Sequence, residues 1–182
     1  MVNGKPYPPA KLEEFELLPG ARDGIRELRL AGYLVIVVTN QPDVATGLQK
    51  PEVVESMHNM LLGQGLCDDI KVCYHTDENN CECRKPRPGM LLTAAKEWGI
   101  DLSQSYMVGD RWRDVDAGKA AGCKTFFIDY GYRESLRLKP DRMVTSLREA
   151  ARIILQSSRS EEHTSELQSH HDLVCRLLLE KK

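Results

Sequence analysis

The sequence predicts an α/β fold with a parallel sheet, and three observations carry that prediction. The run Tyr33-Leu34-Val35-Ile36-Val37-Val38 is apolar without interruption, as a strand covered on both faces reads. Between it and further short apolar runs stand segments of helical periodicity, most of them closed by glycine. Such alternation of strand and helix is the signature of βαβ units. The third observation is the array Cys73-x-His75-x5-Cys81-x-Cys83, followed without a gap by Arg84-Lys85-Pro86. It predicts a metal-held loop placed just ahead of an anion-binding pair.

The elements follow in order. Pro19-Gly20 opens a helix with Ile25, Leu28 and Leu30 as its apolar positions, and Gly32 ends it as a C′ glycine does. The strand at 33–38 runs directly into Thr39-Asn40-Gln41-Pro42. Pro51 suits the first turn of a helix that turns Val54, Met57, Leu61 and Leu62 inward, with Gly63 and Gly65 closing it. Ile70 to Cys73 is a short strand entering the Cys/His array. Pro88 starts a helix with Leu91, Leu92, Ala95 and Trp98 apolar, and Gly99 stops it. Tyr106-Met107-Val108 is a strand ending at Gly109-Asp110, and Asp114 to Ala121 is a helix capped by Gly122. Thr125 to Ile128 is the next strand, Val144 seeds a last short one, and Leu147 to Leu155 is an amphipathic helix.

Bulk properties bound the function. A chain of 182 residues suits one domain or one domain plus an appendage. Hydrophobic content of 41% and charged content of 29% are those of a soluble globular protein. A net charge of −2 gives no field suited to nucleic acid or a membrane surface, so neither is expected as a partner. No apolar run approaches the ~18 residues of a membrane span, and Met1 to Pro9 is polar and proline-rich, unlike a secretory signal. Six cysteines, four of them in metal-type spacing, fit a reducing cytosol better than a disulfide framework. A cytoplasmic location is therefore expected.

The chemistry-bearing residues fall into two groups. Cys73, His75, Cys81 and Cys83 offer three thiolates and one imidazole, a closed set that suits structural Zn2+. An iron–sulfur site is less favoured, because it ordinarily takes four thiolates; a chance cluster of cysteines is the plain alternative. The second group lies at strand ends, where open parallel sheets bind ligands. Thr39 and Asn40 follow one strand, Arg84 and Lys85 follow the metal loop, and Asp110 and Asp114 follow another strand. Singly, each has an ordinary reading: Thr39 as an N-cap, Lys85 as a solvated loop lysine, Asp110 as a turn former. Together, a hydroxyl, an ammonium and carboxylates around one crevice suit a phosphate with Mg2+. His58 reads as a surface or partly packed histidine, Cys67 and Cys123 as small core or near-surface residues, and Trp112 as either a cleft wall or a helix-packing residue.

These residues carry a resemblance. Val-Val-Thr39-Asn40-Gln41, then Cys-Arg84-Lys85-Pro-x-Pro-Gly-Met90, then Val-Gly109-Asp110-x-x-x-Asp114 resemble the second, third and fourth motifs of the haloacid dehalogenase (HAD) superfamily. The C-x-H…C-x-C insert resembles its zinc-loop subgroup, which acts on heptose 1,7-bisphosphate or histidinol phosphate. The resemblance covers roughly residues 4 to 155, including Gly4 to Pro9 and Leu18-Pro19-Gly20. It implies a three-layer αβα Rossmann-like domain. It further implies that Thr39, Asn40 and Gln41 hold the transferring phosphoryl group and that Lys85 neutralises it. Arg84 and Arg111 would meet the substrate, Asp110 would bind Mg2+ with Asp114 as a second acidic position, and the Cys3His set would bind zinc. The implied activity is hydrolysis of a phosphorylated sugar or small metabolite through an aspartyl-phosphate. Heptose bisphosphate, on the route to the lipopolysaccharide core, is the first expectation and histidinol phosphate the second. A monomer is expected, and a non-catalytic zinc-stabilised module is the rival from another class.

One departure from the family pattern is large. The superfamily's first motif is a D-x-D-G strand end whose first Asp is the nucleophile and whose second is the acid/base. No D-x-D-G precedes Thr39. The expectation is that the chain begins just after that motif and lacks the central strand, roughly 15–20 residues with its loop. The facing edges of Val35–Val38 and Tyr106–Val108 would then be open and prone to aggregation. At the other end, Arg159 to Ser169 closely resembles an in-frame translation of a sequencing-library adapter, and Leu173 to Leu179 and Glu180-Lys181-Lys182 fit its continuation. The domain is accordingly expected to span 1–156, with 157–182 a non-native tail in which His163, His170, His171 and Cys175 have no ligand role. The alternative is an amphipathic tail helix with Leu173, Leu177 and Leu178 on one face.

Overall fold

Six strands lie parallel in one sheet between two helical layers in the structure, a computed structural model that describes residues 9–162 and 172–175. In chain order these are α1 (Ala21–Leu30), β1 (Leu34–Asn40), α2 (Pro42–Ala45), α3 (Pro51–Gly63), β2 (Asp69–Cys73) and α4 (Gly89–Trp98). Then follow β3 (Tyr106–Gly109), α5 (Trp112–Ala121), β4 (Lys124–Ile128), β5 (Arg142–Val144), α6 (Leu147–Glu162) and β6 (Asp172–Cys175). The order across the sheet is β2-β1-β6-β3-β4-β5.

Side-chain parity along the strands builds the layers. Val35, Val37, Tyr106, Val108, Phe126 and Ile128 point to one face, where Ile25 and Leu28 of α1, Met57 and Leu61 of α3, and Ala150, Ala151 and Ile154 of α6 cover them. Ile36, Val38 and Met107 point to the other, under Met90, Leu91 and Ala94 of α4 and Ala117 of α5. Both parities of β1 are buried, which is why its sequence is apolar without alternation. The three-layer expectation is thus realised.

Three helices, α1, α3 and α4, turn differently from their periodic reading. Leu30, Leu62, Leu92 and Trp98, expected on inward faces, are exposed. In α4 the inward residues are Met90, Leu91 and Ala94. Trp98 sits where α4 reaches the edge strand β2, most of whose residues are only half-buried, and its indole N–H donates to Asp69 Oδ2 at 2.7 Å.

The centre of the sheet departs from expectation. β6 lies between β1 and β3 and is parallel to both, pairing Val35 with Leu173 and Val37 with Cys175 on one side, and Tyr106 with Leu173 and Val108 with Cys175 on the other. The edges expected to be open are therefore paired. The physical reason is that two facing strands each present a row of N–H and C=O groups, and one extended segment between them satisfies both rows. α6 also continues beyond residue 156, the expected domain limit, to Glu162. His163, His170, His171 and Gly4 to Pro8 lie outside the described residues.

Candidate active site

The connections leave β1 toward β2 on one side and β3 toward β4 and β5 on the other. The carboxyl ends of β1 and β3 therefore flank the place where strand order reverses, the usual crevice of an open parallel sheet. Asn40 ends β1, and Asp110 follows Gly109, the last residue of β3. Lys85 arrives from the loop that follows β2.

Lys85 is buried in this crevice, with only 1% of its side chain exposed. Its Nζ donates to the Val38 carbonyl at 2.6 Å and pairs with Asp114 Oδ1 at 2.7 Å, and Asp114 is fully buried. Asn40 holds the Lys85 peptide from both sides: its Oδ1 accepts from Lys85 N at 3.1 Å and its Nδ2 donates to Lys85 O at 3.1 Å. The side-chain amide thus continues the ladder of β1 onto the loop. Thr39 is buried, and its hydroxyl oxygen accepts from Gln41 Nε2 at 3.2 Å. Gln41 N donates to Cys73 O at 2.7 Å and so ties the end of β1 to the metal loop.

Asp110 is buried at the end of β3, and Asp114 Oδ2 accepts from Arg111 N at 3.1 Å. Two glycines let α5 settle this close. A Cβ on Gly109 would lie 2.5 Å from Asp114 Cβ and Oδ2. A Cβ on Gly118 would lie 2.7 Å from Met107 Cβ and Thr125 Cγ2. A buried ammonium, hydroxyl and two carboxylates, with the half-buried amide of Asn40, suit a multiply charged oxyanion arriving with a divalent cation.

The four predicted zinc ligands meet. Their ligand atoms all lie within 4.8 Å of one another. Cys83 Sγ is 3.1 Å from Cys73 Sγ and 3.3 Å from Cys81 Sγ, while Cys73 Sγ and Cys81 Sγ are 3.7 Å apart. His75 presents Nδ1, 3.3 Å from Cys83 Sγ and 3.7 Å from Cys73 Sγ. The edge of a tetrahedron with Zn–S bonds of ~2.3 Å is about 3.8 Å, so the donor set and its spacing fit Zn2+. Burial pushes the Cys73 thiol up to about 12, a proton that a cation would displace on binding.

Two predicted residues turn to the rim instead. Arg84 donates from Nε to Asp77 Oδ1 at 2.8 Å and from Nη1 to His75 O at 3.0 Å. Arg111 forks onto Glu134 with bonds of 2.6 and 2.9 Å. Sequence reasoning missed Asp77 and Arg113. Arg113 forks onto Asp77, both bonds 3.1 Å, and donates to Lys85 O at 3.2 Å. The Arg84 hydrogen bond, with the charge of Arg113, holds the Asp77 carboxyl below the usual carboxylate range against slight burial. The available signal was position: Asp77 lies between His75 and Cys81 of the Cys/His cluster, and Arg113 inside the Asp110-x-x-x-Asp114 spacer. Trp112 is half-buried at the start of α5. The guanidinium carbons of Arg113 and Arg137 lie 4.7 and 3.6 Å from its ring centroid. Cys67 and Cys123 are buried, as expected, and burial lowers the pKa of partly packed His58.

Known proteins resemble this arrangement. The profile of the HAD-hydrolase-like family matches residues 82–150. The D-glycero-β-D-manno-heptose-1,7-bisphosphate 7-phosphatase of Rhodopseudomonas palustris is 38% identical over 126 residues, spanning 63% of this chain and 70% of the relative. That of Pasteurella multocida is also 38% identical, over 63% of this chain and 68% of the relative. The crystal structure of the D,D-heptose 1,7-bisphosphate phosphatase from B. bronchiseptica, complexed with magnesium and phosphate, superposes with a TM-score of 0.74. It is 29% identical and matches 81% of this chain and 88% of that one.

Proposed function

The chain belongs to the haloacid-dehalogenase-like hydrolases, and we propose that it is a phosphatase domain of their zinc-loop subgroup, built to act on D-glycero-β-D-manno-heptose 1,7-bisphosphate. The single observation that carries the reading is Lys85, a buried ammonium held between a strand-end carbonyl and a buried carboxylate. The names of the relatives support heptose bisphosphate over histidinol phosphate.

Thr39 and Asn40 bind the phosphoryl oxygens, with Gln41 steadying the Thr39 hydroxyl. Lys85 balances the charge that builds on those oxygens and keeps the phosphoryl group oriented. Asp110 would hold Mg2+, with Asp114 as a second acidic position, and the bound cation would supply charge neutralisation for the phosphoryl group. Arg84 and Arg111 meet the rest of the substrate from the rim. Cys73, His75, Cys81 and Cys83 hold a structural Zn2+ that steadies the loop leading into Arg84-Lys85. The family's aspartyl-phosphate route takes its nucleophile and acid/base from D-x-D-G, a motif that does not occur in this sequence. Residues 157–182 are read as foreign to the domain on their sequence, with β6 a chance occupant of the central position. A cytoplasmic monomer is the accompanying proposal, supported by cysteines in metal rather than disulfide arrangement.

The test is release of inorganic phosphate with Mg2+ from heptose 1,7-bisphosphate, histidinol phosphate and p-nitrophenyl phosphate. It is run on the chain and on a version with a D-x-D-G strand grafted ahead of residue 1. The chain itself is expected to give no turnover; the grafted one is expected to prefer heptose bisphosphate. Turnover by the unmodified chain would sink the nucleophile argument, and a preference for histidinol phosphate would sink the substrate. Elemental analysis is expected to find about one zinc per chain, and a folded, metal-free protein would refute the Cys3His site.

A further inference from the structure

We infer that Asp77 and Arg113 are positioning residues that couple the occupancy of the zinc loop to anion binding in the crevice. The inference rests on the zinc and phosphate readings above and adds a connection between them. Asp77 lies inside the ligand loop, between His75 and Cys81, in a 3-10 turn. Asn79 Oδ1 caps that turn by accepting from Thr76 N at 2.8 Å and Thr76 Oγ1 at 3.1 Å. The turn has little apolar packing of its own, since Asp77, Glu78, Asn79 and Asn80 are exposed. Arg87 donates to the Asn80 carbonyl and side-chain oxygen, and the proposed metal ligation on either side would share with it the hold on this turn.

From this turn one carboxylate reaches both halves of the crevice. Arg84, the neighbour of Lys85, donates to Asp77 Oδ1 at 2.8 Å. Arg113, the neighbour of Asp114, forks across Asp77 Oδ1 and Oδ2 at 3.1 Å each. Arg113 Nη1 also donates to Lys85 O at 3.2 Å, the carbonyl that Asn40 Nδ2 reaches at 3.1 Å. The Lys85 peptide is thus held from β1 by Asn40 and from α5 by Arg113. The Arg113 end of that hold is anchored in the zinc loop. Release of zinc lets the 76–80 turn leave, the guanidinium fork loses its carboxylate, and the grip on Lys85 O loosens.

The size of the effect follows from exposure. The Asp77 side chain is 63% exposed, so both ion pairs are screened by water. Screened pairs of this kind shift an equilibrium by up to about fivefold. A purely structural surface pair would lower stability and leave the two binding equilibria independent. A coupling device must instead be reciprocal: phosphate tightens zinc by the factor by which zinc tightens phosphate.

The experiment uses the full chain, inorganic phosphate with Mg2+ as the probe, and competition with a chromophoric chelator to read zinc affinity. In the unmodified chain, phosphate is expected to strengthen zinc retention about fivefold. Asp77→Asn is expected to keep its zinc and its circular dichroism. It should bind phosphate about fivefold more weakly and lose the effect of phosphate on zinc. Arg113→Lys, which keeps the charge but not the fork, is expected to fall between, and it carries the test if Asp77→Asn does not fold. Unaltered phosphate affinity and unaltered linkage in both variants would overturn the coupling while leaving the crevice and zinc readings intact. Failure of the unmodified chain to bind phosphate or zinc would strike those readings and take the coupling with them.

Discussion

Helix α5 anchors two lysine–aspartate pairs of nearly equal length and very different character. At its start Asp114 meets Lys85 at 2.7 Å, with 0% and 1% of their side chains exposed. Near its end Lys119 meets Asp141 at 2.6 Å, with 32% and 43% exposed. Distance alone would rank them together. Burial separates them, because withdrawing two charges from water costs several kcal/mol per ion before their attraction counts. The outer pair avoids that cost and belongs to a local brace: Asp141 Oδ2 accepts from Thr125 N at 2.7 Å and from its hydroxyl at 2.8 Å. The inner pair is poor value for stability. Its place makes sense where an arriving anion and cation re-pair both groups, as the proposed phosphate and Mg2+ would.

The contrast can be broken at its strong end first. Lys85→Met is expected to destabilise the fold by about 3–5 kcal/mol in urea unfolding, since Asp114 is left charged and buried. Adding Asp114→Asn should recover much of that loss; a single variant within about 1 kcal/mol of the parent would abolish the distinction. Gly109→Ala tests the close approach that creates the inner pair. Its methyl meets Asp114 Cβ at 2.5 Å, and overpacking of this kind costs about 1–3 kcal/mol. A neutral result would mean that α5 can lift off β3 freely.

Asp141→Asn should cost the least, under about 1 kcal/mol at neutral pH, because the pair is screened. Its sign with pH is definite. Burial alone would raise the Asp141 pKa, but the Lys119 side chain and the Thr125 N–H and hydroxyl outweigh it and hold it at about 2, against an ordinary 3.8. A depressed carboxylate stabilises above its unfolded pKa and loses that contribution as pH falls through the folded value. Parent and variant should therefore differ at neutral pH and converge toward pH 2. A gap that persists there would mean that Asp141 acts through shape rather than charge.

Much of this arrangement was legible in the sequence, for local reasons. β1 declared itself because both its faces are buried, which removes polar residues from both parities. The Cys/His cluster was readable because four soft donor atoms stand at short spacing, and the place of Lys85 because it follows them closely. The unread parts are contacts between segments far apart in the chain. Nothing about Asp77 alone says that Arg113, 36 positions on, will fork onto it. Trp98 and Leu92 follow a helical period, but whether a period faces core depends on where the sheet ends, and β2 is its edge. Least legible was the central strand. Leu173-Val174-Cys175 is too short to show a period, and its place is set by the gap between β1 and β3 rather than by any signal of its own.

That central position has a consequence for any trimmed version of the chain. Leu34 of β1 pairs with Asp172, 138 positions later, and among the described residues β6 is what joins β2-β1 to β3-β4-β5. Pairings of such long sequence separation are slow to form. A chain cut after residue 156 would keep both half-sheets with their helices but leave the facing edges of β1 and β3 open to other molecules.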